Sequence, residues 1–248
     1  MDFFDSLLDD RTALTWIDQN SSEWDTVRIG RFTASEIHRL MEPAKREMTP
    51  EELKARPKSG PGSGAKLTYD YSKLSDAAMT YITEKVAEVL TGQPKSQGYA
   101  FPLVWGTEHE EEAAEFFTKI TGLETEKVGF FKYTDHAGGS PDRMVGADAI
   151  LEIKCPYEPV NQINYLLLTD QFDVRRNYFP YWTQCQANML FTDSKLCHFC
   201  TFDPRMKEDK HKLTHIEIKP DLEFHDLIRQ QIARATKEKL QLIQLLID

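Results

Sequence analysis

No apolar run in the 248-residue chain approaches the roughly 20 residues needed to span a bilayer, so no membrane helix is expected. Cysteine is scarce. Only Cys155, Cys185, Cys197 and Cys200 occur, too few for a disulfide framework. Residues 1–10 hold four Asp and no cation, which is unlike a signal peptide. Together these features predict a reducing, cytoplasmic setting. Positive charge is also short: 30 Lys and Arg face 40 Asp and Glu, a net charge of −10. That balance speaks against holding nucleic acid by bulk charge.

Apolar and aromatic residues are not short, at 40% and 11%. Such a chain can build a core rather than stay disordered. The length allows one or two domains, and we read residues 1–248 as one. The charge is uneven. Residues 1–27 and 105–126 each carry seven acids and one base, whereas 28–66 carry nine bases and five acids.

The pattern along the chain predicts helices, then strands, a helical stretch, strands and a last helix. Residues 3–17 read as a first helix, and Thr33 with Glu36 has capping-box spacing. Residues 43–66, with four Pro and three Gly, read as a flexible inserted loop. Ser75 caps a helix to about Leu90, stopped by Gly92 and Pro94. A second helix follows Trp105-Gly106 and ends near Gly122. Short strands are predicted at 128–133, 143–145 and 150–154. Residues 160–193 read as helical, 196–202 and 213–218 as strands, and 221–247 as a long amphipathic helix capped by Asp221. The order indicates a mixed α/β (α+β) fold.

Chemistry concentrates in Ser140-Pro141-Asp142 and Leu151-Glu152-Ile153-Lys154-Cys155-Pro156. Side chains alternate along a strand, so Glu152 and Lys154 share one face, about 7 Å apart along the chain. Leu151 and Ile153 point into the core. Charges beside an apolar strand are costly unless they bind something, and a divalent cation meets that cost. Mg²⁺ takes one or two carboxylates and keeps waters for a phosphate. Asp142, at the neighbouring strand of a hairpin, can converge with Glu152 on one ion. Lys154 can orient or deprotonate water, or stabilise charge on a phosphate. A turn Asp and an exposed Glu/Lys pair is the plain alternative. In the acidic helix, Ala113, Phe116, Phe117 and Ile120 mark the apolar face. Of the five glutamates, Glu110 alone lies near its centre, so it is expected to point toward Asp142 and Glu152. Glu108, Glu111, Glu112 and Glu115 read as a solvated face.

Seven ordered segments then point one way: Trp24–Gly30, Thr33–Glu36, Trp105-Gly106 with Glu110, Ser140–Asp142, Leu151–Pro156, Gln184-x-Gln186 and Asp203–Met206. Together they resemble the phage lambda exonuclease family, the YqaJ-type viral recombinases of the PD-(D/E)xK nuclease superfamily. The resemblance implies a restriction-endonuclease-like core, a central mixed sheet flanked by helices. It implies 5′→3′ digestion of one strand from a duplex DNA end, leaving a 3′ single strand for phage-type recombination. Asp142, Glu152 and the Ile153 carbonyl resemble the ligands of Mg²⁺, for which Mn²⁺ would substitute. Lys154 resembles the catalytic lysine, Glu110 the helical acid and Gln184 the glutamine completing the pocket. Arg28 and Ser35, with Ser140, resemble the residues that hold a terminal 5′-phosphate. A homotrimer, a single-strand annealing protein as partner and a bacterial host cytoplasm are implied as well. Arg143 departs from the family, which often has Gly there.

Two alternatives stay open: a restriction-like endonuclease of the same superfamily, and a DNA-end-binding scaffold with little nuclease activity. An endonuclease needs no terminal-phosphate pocket, and a scaffold needs no intact Asp142, Glu152 and Lys154. Cys197 and Cys200 stand three apart in a strand, on opposite faces, so they are not expected to share an ion. An iron–sulfur nuclease of the superfamily has four placed cysteines, usually one well before the acidic motif; since all four here lie at or after Cys155, no such cluster is expected. The seven His show no paired ligand spacing. Leu240, Ile243 and Ile247 form a stripe suited to core or subunit packing.

Overall fold

The computed structural model describes residues 12–14, 17–59, 65–95 and 101–248. Its centre is a five-stranded mixed sheet in the order β11-β10-β9-β8-β5. The strands are β5 (Thr125–Lys127), β8 (Arg143–Val145), β9 (Ala149–Lys154), β10 (Leu196–Phe202) and β11 (Leu213–Ile218). β8 and β9 pair antiparallel as a hairpin, whereas β9 and β10 run parallel. A parallel pair needs a long crossover. It is supplied by α6 (Pro159–Leu166), α7 (Gln171–Asn177) and α8 (Phe179–Thr192).

A second sheet has the order β1-β6-β7-β2, formed by β1 (Thr12–Leu14), β2 (Phe32–Thr33), β6 (Phe130–Thr134) and β7 (Ala137–Gly139). β7 delivers the chain to Ser140, and β2 leads into a 3₁₀ turn at Ala34–Glu36. α1 (Ser22–Arg28), α2 (His38–Met41), α4 (Asp76–Thr91), α5 (Phe101–Thr121) and α10 (Leu222–Ile247) complete the frame around the site.

The mixed sheet is covered on both faces. Ile150, Cys197 and Phe199 join a core with Trp182, Met189 and Phe191 of α8 and with Ile228 and Ile232 of α10. Leu151, Ile153, Cys200 and Phe202 join a second core with Ala113, Ala114 and Phe117 of α5. Burying one such Phe contributes about 2–3 kcal/mol. The alternation that buries Leu151 and Ile153 on α5 turns Glu152 and Lys154 to the α8 side. Cys197 and Cys200 lie in different cores, as strand geometry requires.

Helix ends follow the local chemistry. Ser75 Oγ accepts from the Ala78 N–H (3.2 Å) and Asp221 Oδ1 from the Phe224 N–H (3.0 Å), each satisfying an otherwise unpaired donor. Gly92 closes α4 at φ +65°, a left-handed conformation that glycine adopts without strain.

Four expectations change. Thr12–Leu14 is a strand, paired antiparallel with Phe130–Lys132, not part of a helix; the partner strand overrides a local pattern of mixed apolar and acidic residues. The remainder of 3–17, apart from Ile17, lies outside the described residues. The described part of 43–66 is not a plain loop, residues 60–64 lying outside the described residues. It forms β3 (Pro43–Glu47), paired with β4 (Leu67–Leu74), and α3 (Pro50–Ala55). The prolines punctuate a helix rather than mark irregular chain: Pro50 starts it and Thr49 with Glu52 forms its capping box. The spacing at Thr33 and Glu36 gives no such box; Thr33 makes no side-chain cap and a 3₁₀ turn follows. Finally, Ile120 is 51% exposed, and the α5 face that packs is centred on Ala113, Ala114 and Phe117. On α10, Leu240 and Ile247 are also exposed.

Candidate active site

A cleft of about 890 Å³ runs between α1, the Ala34–Glu36 turn, α5 and the end of β9. Its walls include Arg28, Ser35, Glu110, Ser140, Asp142, Lys154 and Gln184. Seven of the predicted site residues, spread over more than 150 positions, therefore face one space. Glu152 and Ile153 lie directly behind it in β9.

Glu152 is wholly buried. Its Oε1 accepts from Lys154 Nζ (2.5 Å) and its Oε2 from Asn188 Nδ2 (3.2 Å). Asp142 reaches across from the bend just before β8, and its Oδ2 accepts the Ile153 N–H (2.5 Å). Ile153 thus enters the site through its peptide. Burial and the nearby Glu152 carboxylate hold the Asp142 carboxyl well above the ordinary range. Burial pulls the Lys154 ammonium down, but Glu152 and Asp142 outweigh it and hold its pKa above the usual value. Lys154 is therefore a stable cation beside two acids. Burial also pushes the neighbouring Cys155 thiol up to about 12, so it is no nucleophile at neutral pH.

Glu110 stands on α5 with its carboxylate on Arg143 Nη1 (2.8 Å), and its charge adds to the upward push on Asp142. Arg143, a departure in sequence, is nearly fully buried. It also donates to the Asp142 backbone carbonyl (2.7 Å) and to Glu111 (3.2 Å). Glu111 is exposed but is not a free surface acid, for it pairs with both Arg143 and Lys127. Glu108, Glu112 and Glu115 are exposed, as expected.

At the other end of the cleft, the Arg28 guanidinium lies over the Trp24 ring, 3.8 Å from its centroid. The Trp24 indole N–H donates to Ser140 Oγ (2.9 Å). Trp24 and Arg28 are one turn apart on α1, so their side chains meet. Burial lowers the Arg28 pKa, and among the described residues no carboxylate forms an ion pair with it. Ser35 Oγ is 3.4 Å from Thr33 Oγ1. The turn after Arg28 is fixed from behind: the Gly30 N–H donates to Glu88 Oε2 (2.8 Å) and Lys239 Nζ donates to the Gly30 carbonyl (2.6 Å).

The sequence reading missed Arg143 as a partner of Glu110. It also missed Asn188, which lies one turn beyond Gln184 on the same face of α8, a signal available in the sequence. Gln186 turns away to bond the Lys219 carbonyl and the Asp221 N–H. Gly139 makes room for Asn188, since a Cβ there would sit 2.3 Å from Asn188 Oδ1. The histidines need a correction too. His198 Nδ1 and His215 Nε2 lie 2.9 Å apart, a pairing made by strand register rather than by sequence spacing.

The site is thus an acid–lysine centre at the end of a central strand of a mixed sheet, with a guanidinium at the far end of the same cleft that no carboxylate pairs among the described residues. The model of the YqaJ-like viral recombinase domain matches residues 51–195, and the chain belongs to that family. The fold is similar to that of an alkaline exonuclease, LHK-Exo, from Laribacter hongkongensis. That likeness has a TM-score of 0.68 at 22% identity, over 91% of this chain and 96% of that one. The same exonuclease in complex with dAMP gives a TM-score of 0.69 at 22% identity, with the same coverage. A phage-related exonuclease from Haemophilus somnus 129PT gives 0.65 at 18% identity, over 87% and 96%. No curated protein matches the chain. No helix among the described residues is long and apolar enough to cross a membrane.

Proposed function

We propose that the chain is a Mg²⁺-dependent 5′→3′ exonuclease that digests one strand from a duplex DNA end and leaves a 3′ single strand for recombination. A nuclease role is supported by the YqaJ-like family and by the fold shared with alkaline exonucleases. The observation that carries the finer reading is the layout of the cleft. An acid–lysine centre and a partly desolvated Arg28, without an ion-pair partner among the described residues, face the same space.

The residues fit a hard divalent cation. Asp142 and Glu152 supply oxygens, and Asp142 is driven toward its protonated form by burial and by the neighbouring Glu152 and Glu110 carboxylates. Bound there by Asp142, Glu152 and the Ile153 carbonyl, Mg²⁺ (or Mn²⁺) would polarise a phosphate oxygen and lower the pKa of a bound water. The chain's own groups do the rest. Lys154, held charged, stabilises negative charge growing on the phosphoryl oxygens. Asn188 fixes the rotamer of Glu152, and Gln184 lines the pocket beside Lys154. Arg143 keeps Glu110 at the rim. Arg28 with Ser35 and Ser140 grips a terminal 5′-phosphate by charge-assisted hydrogen bonds. Holding the end there sets cleavage at a fixed distance, so mononucleotides would be released. The related exonuclease was solved with dAMP, a molecule of that size. A single nuclease domain, a homotrimer on DNA, a single-strand annealing partner and a bacterial cytoplasmic setting belong to the same reading, and rest on the family.

The test uses three substrates with Mg²⁺: linear duplex with 5′-phosphates, linear duplex with 5′-hydroxyls, and closed circular duplex. Phosphorylated linear DNA should be digested to mononucleotides and single strand, fastest of the three. Digestion of the circle would overturn the exonuclease reading in favour of an endonuclease. Binding of ends without digestion of any substrate would leave the scaffold.

A further inference from the structure

On the face of the mixed sheet away from the cleft, β10 and β11 bring His198, His215 and Glu217 together. The antiparallel register sets Glu217 opposite His198 and His215 opposite Cys200. All three side chains fall on one face. One donor atom from each lies within 4.8 Å of the others, and the closest nitrogens, His198 Nδ1 and His215 Nε2, are 2.9 Å apart. Phe117 of α5 packs on both rings, with centroids at 5.4 and 5.3 Å. His198 is buried, His215 half-buried and Glu217 exposed. The cluster therefore has a dry inner end and a side open to solvent.

This cluster is separate from the catalytic cleft. In the parallel register of β9 and β10, His198 pairs with Leu151, and Glu152 pairs with Phe199. Partners in register share a face. His198 thus lies with Leu151 under α5, and the acid–lysine centre lies on the α8 side.

We propose that His198, His215 and Glu217 form a second metal site, for a borderline transition-metal cation such as Zn²⁺. The donor chemistry selects the class: imidazole nitrogens suit Zn²⁺ or Co²⁺, whereas Mg²⁺ takes oxygens. Two nitrogens, one carboxylate and a water make a tetrahedral set. Nitrogens sharing such an ion stand about 3.3 Å apart, so the rings need to part by only about 0.4 Å. Glu217, exposed at the surface, closes over the ion last. The site would clip β11, an edge strand of the sheet, to its neighbour, and metal affinity would add directly to fold stability.

The test titrates metal-free full-length protein with Co²⁺, followed by visible absorption, and with Zn²⁺, followed by calorimetry and thermal melting. One equivalent of Co²⁺ should give intense tetrahedral bands, displaced by Zn²⁺ and not by excess Mg²⁺. His215→Ala should weaken this binding at least tenfold and remove the Zn²⁺-induced rise in Tm. Should His215→Ala fail to fold, Glu217→Gln carries the test, since its position is exposed; it should also weaken binding. Asp142→Ala, in the cleft, should leave the Co²⁺ spectrum unchanged. Absence of tetrahedral bands in the folded wild type, or bands that neither β11 substitution alters, would overturn the proposal. The pair would then serve only as a ring-to-ring hydrogen bond.

Discussion

Arg143 offers the sharpest test of how the acid cluster is held. Its guanidinium is almost completely buried, with a side-chain exposure of 4%. It ties together Glu110, Glu111 and the Asp142 carbonyl. Consider Arg143→Met, which keeps length and removes the charge. Deleting one partner of a fully buried ion pair costs about 3–5 kcal/mol. Here the partners regain water in part, since the Glu110 and Glu111 side chains are 27% and 55% exposed. The expected loss is accordingly about 2 kcal/mol. The residual Glu110 charge then adds, uncompensated, to the repulsion already felt by Asp142. Two consequences separate this account from simple loss of packing. Adding Glu110→Gln to Arg143→Met should recover about 1 kcal/mol of the loss. Saturating Mg²⁺ should narrow the stability gap from wild type, because a cation on Asp142 and Glu152 offsets the excess negative charge. Urea denaturation at pH 8, with and without Mg²⁺, measures both. Turnover on linear duplex should fall roughly 10- to 100-fold, as for residues that orient a metal centre's ligands. Strictly additive substitutions, together with a gap indifferent to Mg²⁺, would refute the reasoning.

Lys154→Met should lower turnover about 10²- to 10⁴-fold while binding of DNA ends, measured by gel shift, persists; turnover within tenfold of wild type would remove Lys154 from the chemistry. Arg28→Ala should slow digestion of 5′-phosphorylated ends to near the 5′-hydroxyl rate, so the ratio of the two rates collapses. Gly139→Ala would drive a methyl to 2.3 Å from Asn188 Oδ1, costing about 2 kcal/mol by denaturation, and Asn188→Ala in the same chain should return part of it. His225 is buried, and burial together with Arg229 holds its pKa near 4 in the fold against 6.5 ordinarily. The unfolded chain then binds more protons between those values, so this residue's stabilising effect is full above pH 6.5 and is lost as pH falls toward 4. The loss from pH 7 to 5 should be about 2 kcal/mol, and His225→Gln should flatten it.

The sequence was most readable where the local pattern and the tertiary demand agree. β10, β11 and α10 carry their own periodicity and caps, and their limits follow directly. Alternation alone turned Glu152 and Lys154 to one side and Leu151 and Ile153 to the other. Failures came where a distant partner decides. Thr12–Leu14 is a strand only because β6 lies beside it. Residues 43–55 are regular only because β4 returns to pair with β3, and because Arg46 closes on Glu52 with two contacts of 2.7 Å. Arg143 looked like a loss of a turn glycine, and nothing nearby in sequence announces Glu110 as its partner. The His198–His215 contact is of the same kind, since it depends on the register of two strands whose existence was clear but whose pairing was not.

Register also bears on how a chain with net charge −10 would hold a polyanion. The acids of α5 divide by face. Glu108, Glu112 and Glu115 look outward, whereas Glu110 faces the cleft and is met by Arg143. In the segment 28–66, Arg39 is spent on Glu36 and Glu84, and Arg46 on Glu52. Two of the nine bases of that segment are therefore held by carboxylates. Arg28 differs: its guanidinium stacks on Trp24, and among the described residues no carboxylate pairs with it, which on the proposed reading leaves its donors to a phosphate. A single directed cation of this kind favours an end-phosphate, with its doubled charge, over an internal phosphodiester. An even coat of lysines would bind both alike. On the proposed reading, selectivity for ends follows from this directed cation, and raising the ionic strength should weaken end-binding with a shallow salt slope, of roughly one or two ion contacts. A steep slope would mean that many more phosphates are gripped than Arg28 and its neighbours can account for.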